Sequence, residues 1–295
     1  MLSVLCVVMA GVLWGCMGIL TRTMNEGGFY PLEVTAFRAF ITIVVMFVFM
    51  LLFKRKELKI KIKDIWIFLG TGIVSVAFFN ICYFTCMTLT TLSNAAILLY
   101  TAPAIVTVLS ALIFKEKMNA KKLVCVLMAF AGCILVAGGF DGKSLSLMGI
   151  LTGLGAGLGY ALYSIFSRFA IERKYTSFTV TTYTFTFALL GCAPFIKPGH
   201  FISCLTGDVR KIPLYIILVL FNTVAAYLLY TFGLKGLENS VASVIASIEP
   251  VVATIVGIVL FGEKVNISGI FGMILVLGSC VIVGLKLKRK KESIS

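Results

Sequence analysis

Runs of about twenty predominantly apolar residues, separated by short charged or Pro- and Gly-containing joins, recur along the chain from Leu2 to Leu285. Each run is long enough to cross the roughly 30 Å of hydrocarbon in a bilayer as an α-helix. Backbone groups in lipid need partners inside the protein, and runs without period-two alternation meet this need as helices rather than as a barrel. The chain therefore predicts an all-α polytopic membrane protein, and a composition of 60% hydrophobic and 13% charged residues excludes a single water-soluble globule.

The breaks between the apolar runs predict ten transmembrane helices. Their expected positions are near 3–22, 31–53, 65–87, 91–114, 120–139, 146–168, 176–196, 212–234, 240–261 and 266–285. The first run begins almost at Met1 without the basic region and cleavage site of a signal peptide, so we expect it to stay in the mature protein. The nine cysteines lie mostly within the runs and are interpreted as small hydrophobic residues.

The net charge of +14 comes from short basic clusters beside the apolar runs. Such clusters set membrane orientation and do not form a continuous basic face, so nucleic acid is not an expected partner. With both termini inside, nineteen lysines and arginines lie on the inner side and six on the outer side. The outer six are Arg22, Lys143, Lys197, Arg210, Lys211 and Lys264. We expect a multi-pass protein of the cell (inner) membrane with both termini in the cytoplasm.

An internal repeat relates the two halves of the chain. Matching pairs include Tyr83 and Tyr230, Ser93 and Ser240, Pro103 and Pro250, and Glu116 and Glu263 at a shift of 147 residues, with Arg22 and Arg168 at a shift of 146. Each half holds five spans, and because five is odd the second half enters the membrane in the opposite orientation. The predicted fold is two five-helix inverted repeats, 1–140 and 145–286, followed by a basic cytoplasmic tail, 287–295. Inverted repeats permit alternating access to a central site, which indicates transport.

Several short motifs carry a resemblance to a known family. They are Trp14-Gly15, Pro31 with Arg38, Ser93-Asn94-Ala95-Ala96, Tyr100-Thr101-Ala102-Pro103, Phe114-Lys115-Glu116, Glu249-Pro250 and Phe261-Gly262-Glu263. With these motifs the chain resembles the drug/metabolite transporter superfamily, in its EamA-like branch, along nearly its whole length. The resemblance implies ten helices, cytoplasmic termini, and export or uptake of amino acids or related metabolites. The sequence departs from the family pattern at Tyr160, where the second half often has tryptophan.

Glu249 is the ionisable residue placed nearest the middle of the bilayer, where a carboxylate is costly and therefore indicates function. The next residue, Pro250, removes the N–H that would bond the carbonyl of Ala246, and Pro103 does the same to Leu99 in the first half. We expect both helices to break near the pseudo-axis and to expose backbone groups to a polar solute or an ion. The alternative is that the prolines only kink packing helices and that Glu249 only bonds a neighbour.

Two further charged residues lie in the second span. Arg38 is about two turns into it, and three roles stay open: pairing with Glu33, bonding a helix end, or meeting an anionic substrate. Glu33 lies near a membrane face, where snorkelling explains it. His200, the only histidine, lies in the longest outer connection, and we expect it to be solvated.

Polar and aromatic side chains within the spans complete the predicted site. In hydrocarbon an amide must be bonded or must line water, and aromatic walls suit an apolar or cationic solute. Interhelical hydrogen bonding and ordinary packing are the alternatives for each of them. The predicted substrate-binding residues are Glu249, Asn94, Tyr100, Asn80, Tyr83, Tyr227, Tyr230, Trp14, Tyr160, Tyr163 and Arg38, with Asn222 as a further amide.

Glycines at fixed spacing occur in two spans, at 149, 153 and 157 and at 11 and 15. This small-xxx-small spacing predicts close helix packing, and the absence of a following Lys-Ser or Lys-Thr excludes a phosphate-binding loop. The energy for transport would then come from a gradient or from exchange. We expect no cofactor, no metal and no catalytic residue.

The sequence favours a secondary transporter of small metabolites, amino acids or related compounds, with export preferred to uptake. Its partners are the small-molecule substrate and the lipid bilayer, while proton coupling through Glu249 and the oligomeric state stay open. A cationic drug exporter is the alternative within transport. A membrane-embedded transferase is the alternative from another class, but it would need clustered His or Asp near a membrane face.

Overall fold

A computed structural model describes residues 1–139, 146–207 and 209–292, with side chains up to residue 283. Besides the short helices Arg55–Leu58 and Pro198–Gly207, it shows ten main helices within these ranges. They are α1 (Leu2–Glu26), α2 (Pro31–Phe53), α3 (Ile62–Leu89), α4 (Leu92–Phe114), α5 (Ala120–Val136), α6 (Leu147–Glu172), α7 (Ser177–Phe195), α8 (Val209–Gly233), α9 (Asn239–Phe261) and α10 (Ile267–Glu292). Strands are absent from these ranges. All of these helices except α5 and α10, eight in the described chain, are long and apolar enough to cross a membrane. The predicted all-α polytopic fold is confirmed.

Helices α5 and α10 are the last of each half, and α5 is shorter than the sequence predicts, because it ends at Val136. α5 has 17 residues, and the apolar part of α10 within the described residues is Ile267–Val283. The two pack through paired glycines: a Cβ added to Gly132 would lie 2.7 Å from the Gly272 carbonyl oxygen, and one on Gly272 would lie 2.6 Å from the Gly132 carbonyl oxygen. Backbone contact this close couples the two halves. Lys143 and the side chains of the basic tail lie outside the described residues.

Helices α4 and α9 are each interrupted near the middle. α4 ends its first stretch at Leu99 and resumes at Ala102, while α9 ends its first stretch at Ala246 and resumes at Glu249. In both cases a proline follows at the second position of the new stretch, where its missing N–H leaves no hydrogen bond broken. The interruptions are 147 residues apart, which is the shift of the sequence repeat.

The predicted glycine contacts are confirmed, and they join α4 and α9 each to a helix from the opposite half. A Cβ on Gly15 of α1 would lie 2.7 Å from the carbonyl oxygen of Glu249. A Cβ on Gly157 of α6 would lie 2.5 Å from the Thr101 hydroxyl oxygen. Small residues therefore let α1 reach the break in α9 and let α6 reach the break in α4.

Helices α3 and α8 widen into π-helix over Gly70–Ala77 and Leu220–Ala225. These stretches overlap under the repeat shift of 147 residues. A π-helical turn changes the direction in which side chains leave the helix and is frequent at functional sites. Within the described residues, α3 and α4 of the first half and α8 and α9 of the second thus carry matching irregularities.

Candidate functional site

A narrow cavity lies between helices α1 and α3 of the first half and α6 and α8 of the second half. Its volume is about 20 Å³, which is room for roughly one water molecule. The residues that line it are Trp14, Ser75, Val76, Phe79, Tyr160, Tyr163, Ser164, Tyr227 and Tyr230. Five of these nine belong to the predicted substrate-binding residues, and the cavity is too small for a metabolite in this conformation.

Trp14 is the centre of the aromatic cluster around this cavity. Its ring lies 5.1 Å from that of Tyr230, 5.3 Å from that of Tyr227 and 6.1 Å from that of Tyr160, measured between centroids. Tyr163 adds a further edge-to-face contact with Tyr227 at 4.9 Å. Such contacts orient each ring and build a rigid wall from both halves of the chain.

Hydrogen bonds fix three of the tyrosine hydroxyls. The Tyr230 hydroxyl shares a bond of 2.6 Å with the Ser164 hydroxyl, and the Tyr163 hydroxyl shares one of 2.8 Å with that of Thr231. Tyr160 differs from these two because its hydroxyl donates to a carboxylate, Oε2 of Glu249, at 3.2 Å. Tyr160 therefore connects the cavity to the one acidic residue at the break in α9.

Glu249 is the first residue of the second stretch of α9, so its carboxylate sits at a helix N-terminus, where the helix dipole favours negative charge. The hydrogen bond from Tyr160 stabilises the carboxylate further. Arg38 of α2 is close enough to both Tyr227, which lines the cavity, and Glu249 to interact with them electrostatically. A carboxyl group and a guanidinium group thus lie near the cavity, although neither side chain is among those that line it.

Arg38 makes a contact that the sequence did not predict. Its Nε donates to the hydroxyl oxygen of Thr223, in the π-helical stretch of α8, at 3.0 Å. The pairing with Glu33 is wrong, because residues five apart on a helix point about 140° away from each other. Glu33 instead accepts a hydrogen bond from the backbone N–H of Tyr30 at 2.9 Å, as an N-terminal cap of α2.

Glu33 and His200 form a contact that the sequence did not predict, with Glu33 buried and His200 partly exposed. The Glu33 side chain is 2% exposed, both of its oxygens lie 3.0 Å from Nδ1 of His200, and the His200 ring stacks on Tyr30 at 4.4 Å. The expectation that Glu33 snorkels is therefore wrong, whereas His200, with a side chain that is 34% exposed, is partly solvated and also contacts Glu33. The two residues are 167 positions apart, and only the packing of helix Pro198–Gly207 against the start of α2 brings them together.

The amides of the predicted site lie outside the residues that line the cavity. Asn80 accepts a hydrogen bond from the Thr35 hydroxyl at 2.9 Å and donates to the Val76 carbonyl oxygen at 2.7 Å, so it joins α3 to α2. Asn222 donates to the carbonyl oxygen of Cys16 at 3.3 Å. Asn94 is fully buried in the first stretch of α4. The bonds of Asn80 and Asn222 fit the alternative of interhelical hydrogen bonding.

Tyr83 and Tyr100 also lie away from the lining of the cavity. Tyr83 packs beside the cluster of Cys86, Ala95 and Leu98, and Tyr100 packs beside that of Cys133, Val251 and Val276. Both tyrosines are still within electrostatic range of Glu249. Of the two, Tyr100 packs next to the break in α9, beside Val251.

Sequence reasoning missed Ser75, Val76, Phe79 and Ser164 as cavity residues. Ser164 could have been predicted, because it follows Tyr160 by four residues and therefore lies on the same helix face. Ser75 and Val76 could not have been predicted, since they lie in a π-helical stretch that no periodic pattern in the sequence indicates. Among the described residues, no group of three His, Cys, Asp or Glu side chains could hold a metal.

Comparisons with known proteins agree with this architecture. The sequence profile of the EamA-like transporter family matches residues 1–138 and again residues 147–285. Uncharacterized transporter YwfM of Bacillus subtilis is 25% identical over 288 residues, which cover 97% of this chain and 95% of that protein. An uncharacterized transporter of Archaeoglobus fulgidus is 26% identical over 253 residues, which cover 86% of this chain and 88% of that protein.

A solved crystal structure has the same fold. It superposes with a TM-score of 0.77, at 19% sequence identity, over 97% of this chain and 98% of the other. The family match across both halves, together with the eight long apolar helices in the described residues, identifies a multi-pass membrane protein of the drug/metabolite transporter superfamily. The chain belongs to the EamA-like transporter family.

Proposed function

We propose that the protein is a secondary transporter that moves amino acids or related small metabolites by alternating access, with export preferred to uptake. Its site is the aromatic cavity together with Glu249 and Arg38. The protein lies in the cell membrane with both termini in the cytoplasm, as the distribution of basic residues favours. The family match supports transport over a membrane-embedded transferase.

The observation that carries the proposal is the pair of opposite charges beside one small cavity. Glu249 suits an ammonium group and Arg38 suits a carboxylate, which are the two groups of an amino acid. The Trp14 cluster between them offers aromatic faces to an apolar side chain or to a cation. Because the cavity holds about 20 Å³, the helices must separate before a solute of this size binds.

A cationic drug exporter is the second candidate, favoured by the tyrosine and tryptophan rings beside a carboxylate. Arg38 argues against it, since a fixed positive charge near the site repels a cation that lacks a carboxylate.

Uptake by proteoliposomes tests these candidates. Purified protein should accumulate labelled zwitterionic amino acids from a panel above the level in empty liposomes, and lipophilic cationic dyes should enter no faster than in empty liposomes. Movement of the dyes alone would support the drug exporter, and movement of neither class would overturn the proposal. Dependence of uptake on an imposed pH gradient would add proton coupling.

A further inference from the structure

Glu116, which follows α4, holds the start of α9. Its Oε1 accepts the backbone N–H of Asn239 at 2.7 Å, and its Oε2 accepts the hydroxyl of Ser240 at 2.5 Å and the backbone N–H of Ser240 at 3.3 Å. The side chain of Glu116 is 9% exposed, and Asn239 and Ser240 are buried. One carboxylate thus satisfies two N–H groups that a helix leaves free at its N-terminus.

Two cations strengthen this contact. Lys122 at the start of α5 lies 3.7 Å from Glu116 and forms an ion pair with Glu238. Arg168 near the end of α6 donates to the Asn239 amide oxygen at 2.9 Å and to the Leu237 carbonyl oxygen. Helices α4, α5, α6 and α9 are therefore tied together at this end of the bundle, and we call this set of contacts the Glu116 latch.

Glu263 is the repeat equivalent of Glu116, and it leaves its helix from the same backbone turn. The Glu116 N–H donates to the carbonyl oxygen of Ser110, and the Glu263 N–H donates to that of the equivalent residue, Gly257. The side chains then diverge: Glu263 folds back over Gly257 and forms an ion pair with Arg22, the repeat equivalent of Arg168. Glu263 and Arg22 are 46% and 45% exposed.

Glu263 does not bind the residues that the internal repeat makes equivalent to the partners of Glu116, as far as the described contacts go. The equivalents of Asn239 and Ser240 are Leu92 and Ser93, at the start of α4. Among the described contacts none joins Glu263 to Ser93, and the cap of α4 is the Thr91 hydroxyl, which accepts only from the Asn94 N–H at 3.2 Å. The glutamate, the serine and the arginine of the latch therefore recur as Glu263, Ser93 and Arg22, whereas Leu92 and Gly269 stand in the places of Asn239 and Lys122. Among the described contacts, the glutamate and the serine meet at the first end and not at the second.

The two ends lie on opposite faces of the membrane-spanning bundle. Glu116 binds the first residues of α9, and Glu263 follows its last residue, Phe261. A helix of this length spans roughly 34 Å at 1.5 Å per residue. Glu116, which binds the start of α9, and Glu263, which does not bind the start of α4, thus face opposite sides of the bilayer.

We propose that Glu116 with Ser240 and Glu263 with Ser93 are two exchangeable gate latches, of which this conformation has the first closed and the second open. In the opposite conformation the Glu116 latch opens, and Glu263 caps the start of α4 through Ser93 while Arg22 takes the place that Arg168 holds here. The inference rests on the proposed alternating-access transport, and it adds the residues that close each side. Both glutamates are positioning residues that do not touch the solute.

Hydrogen exchange of the backbone amides in nanodiscs, followed by mass spectrometry, tests the latches without any substrate. Glu116→Gln should speed exchange at residues 239 and 240 by about tenfold or more, since it removes hydrogen bonds to a charged group. It should also slow exchange at residues 92 and 93, because the population shifts toward the conformation in which Glu263 caps them. Ser240→Ala should give the same pattern more weakly if Glu116→Gln fails to fold.

The response at the distant end separates a latch from a local helix cap. Faster exchange at 239 and 240 with no change at 92 and 93, in both variants, would overturn the proposal. Glu263→Gln is the matched control, and it should leave exchange at 239 and 240 as slow as in the unmodified protein or slower. If exchange at the two ends changes together but the protein transports no solute, only the proposed function is overturned. If the protein transports a solute but exchange at the two ends does not change together, only the latches are overturned.

Discussion

Replacement of Glu249 by Gln removes the charge beside the cavity while it keeps the size of the side chain. In the folded protein Glu249 accepts one hydrogen bond, from Tyr160 at 3.2 Å, and an amide oxygen can accept it equally well. We therefore expect Glu249→Gln to insert and fold normally, with a thermal midpoint within a few degrees of that of the unmodified protein.

Transport should respond much more strongly than stability. A hydrogen bond between a charged group of the protein and a solute contributes about 1.5–3 kcal/mol. Because about 1.4 kcal/mol is a factor of ten, the loss of the Glu249 contact to an ammonium group should reduce kcat/KM roughly tenfold to a hundredfold. A solute held by aromatic contacts alone would lose much less.

The assay is initial-rate uptake of a labelled amino acid into proteoliposomes, measured over a range of pH. Glu26→Gln is the matched control, because Glu26 is an exposed carboxylate at the end of α1 and should show unchanged kinetics. Glu249→Gln kinetics that match those of the unmodified protein at every pH would refute the role of Glu249 and leave it a structural residue.

Three further predictions concern stability, each measured by thermal unfolding of the purified protein. Glu33→Ala should lower the free energy of unfolding by about 1.5–3 kcal/mol, because it leaves the Tyr30 N–H and His200 without their acceptor. His200→Phe, which keeps a ring stacked on Tyr30, should lower it less, and negligible losses in both variants would show that the contact is not formed. Lys115→Gly should stabilise by about 1 kcal/mol, since Lys115 has a left-handed φ of 53°, and Gly262→Ala at the repeat-equivalent φ of 65° should destabilise by a similar amount; the opposite signs would refute the backbone strain. Burial raises the pKa of Glu57, but hydrogen bonds from Thr176 and Lys54 outweigh it and leave this pKa below its ordinary value. The ionised Glu57 therefore stabilises the folded protein at neutral pH, and this stabilisation is lost as the pH falls through the folded pKa. Glu57→Gln should reduce the loss of stability below about pH 4, and an unchanged pH profile would contradict this.

The sequence predicted the features that depend on local chemistry. Apolar runs located the helices, and the prolines at 103 and 250 located the interruptions at which α4 and α9 resume. Glycine spacing located the close contacts of α1 and α6. Each of these follows from residues within one or two helical turns of each other, so no knowledge of the packing was needed.

The sequence could not predict contacts that depend on how helices from different halves meet. Glu33 finds His200 across 167 positions, and Arg38 finds Thr223 across 185, although the sequence offered Glu33 as the nearer partner for Arg38. One site was predicted for the aromatic cluster together with Asn80, Asn94, Tyr83 and Tyr100. That prediction assumed that residues at the same depth in the membrane lie close together. Depth follows from position in a span, but the face that a residue presents depends on π-helical turns and on helix rotation.

Counterflow tests the central claim, alternating access to one site, most directly. Proteoliposomes that contain the purified protein are loaded with a high concentration of an unlabelled amino acid, and a trace of the same compound with a label is added outside, with no ion gradient imposed. An alternating-access carrier predicts a transient accumulation of label above its equilibrium level, because unlabelled solute inside delays its return, and Glu249→Gln should abolish the overshoot. A labelled solute that only approaches equilibrium, with no overshoot for any amino acid tested, would contradict the account.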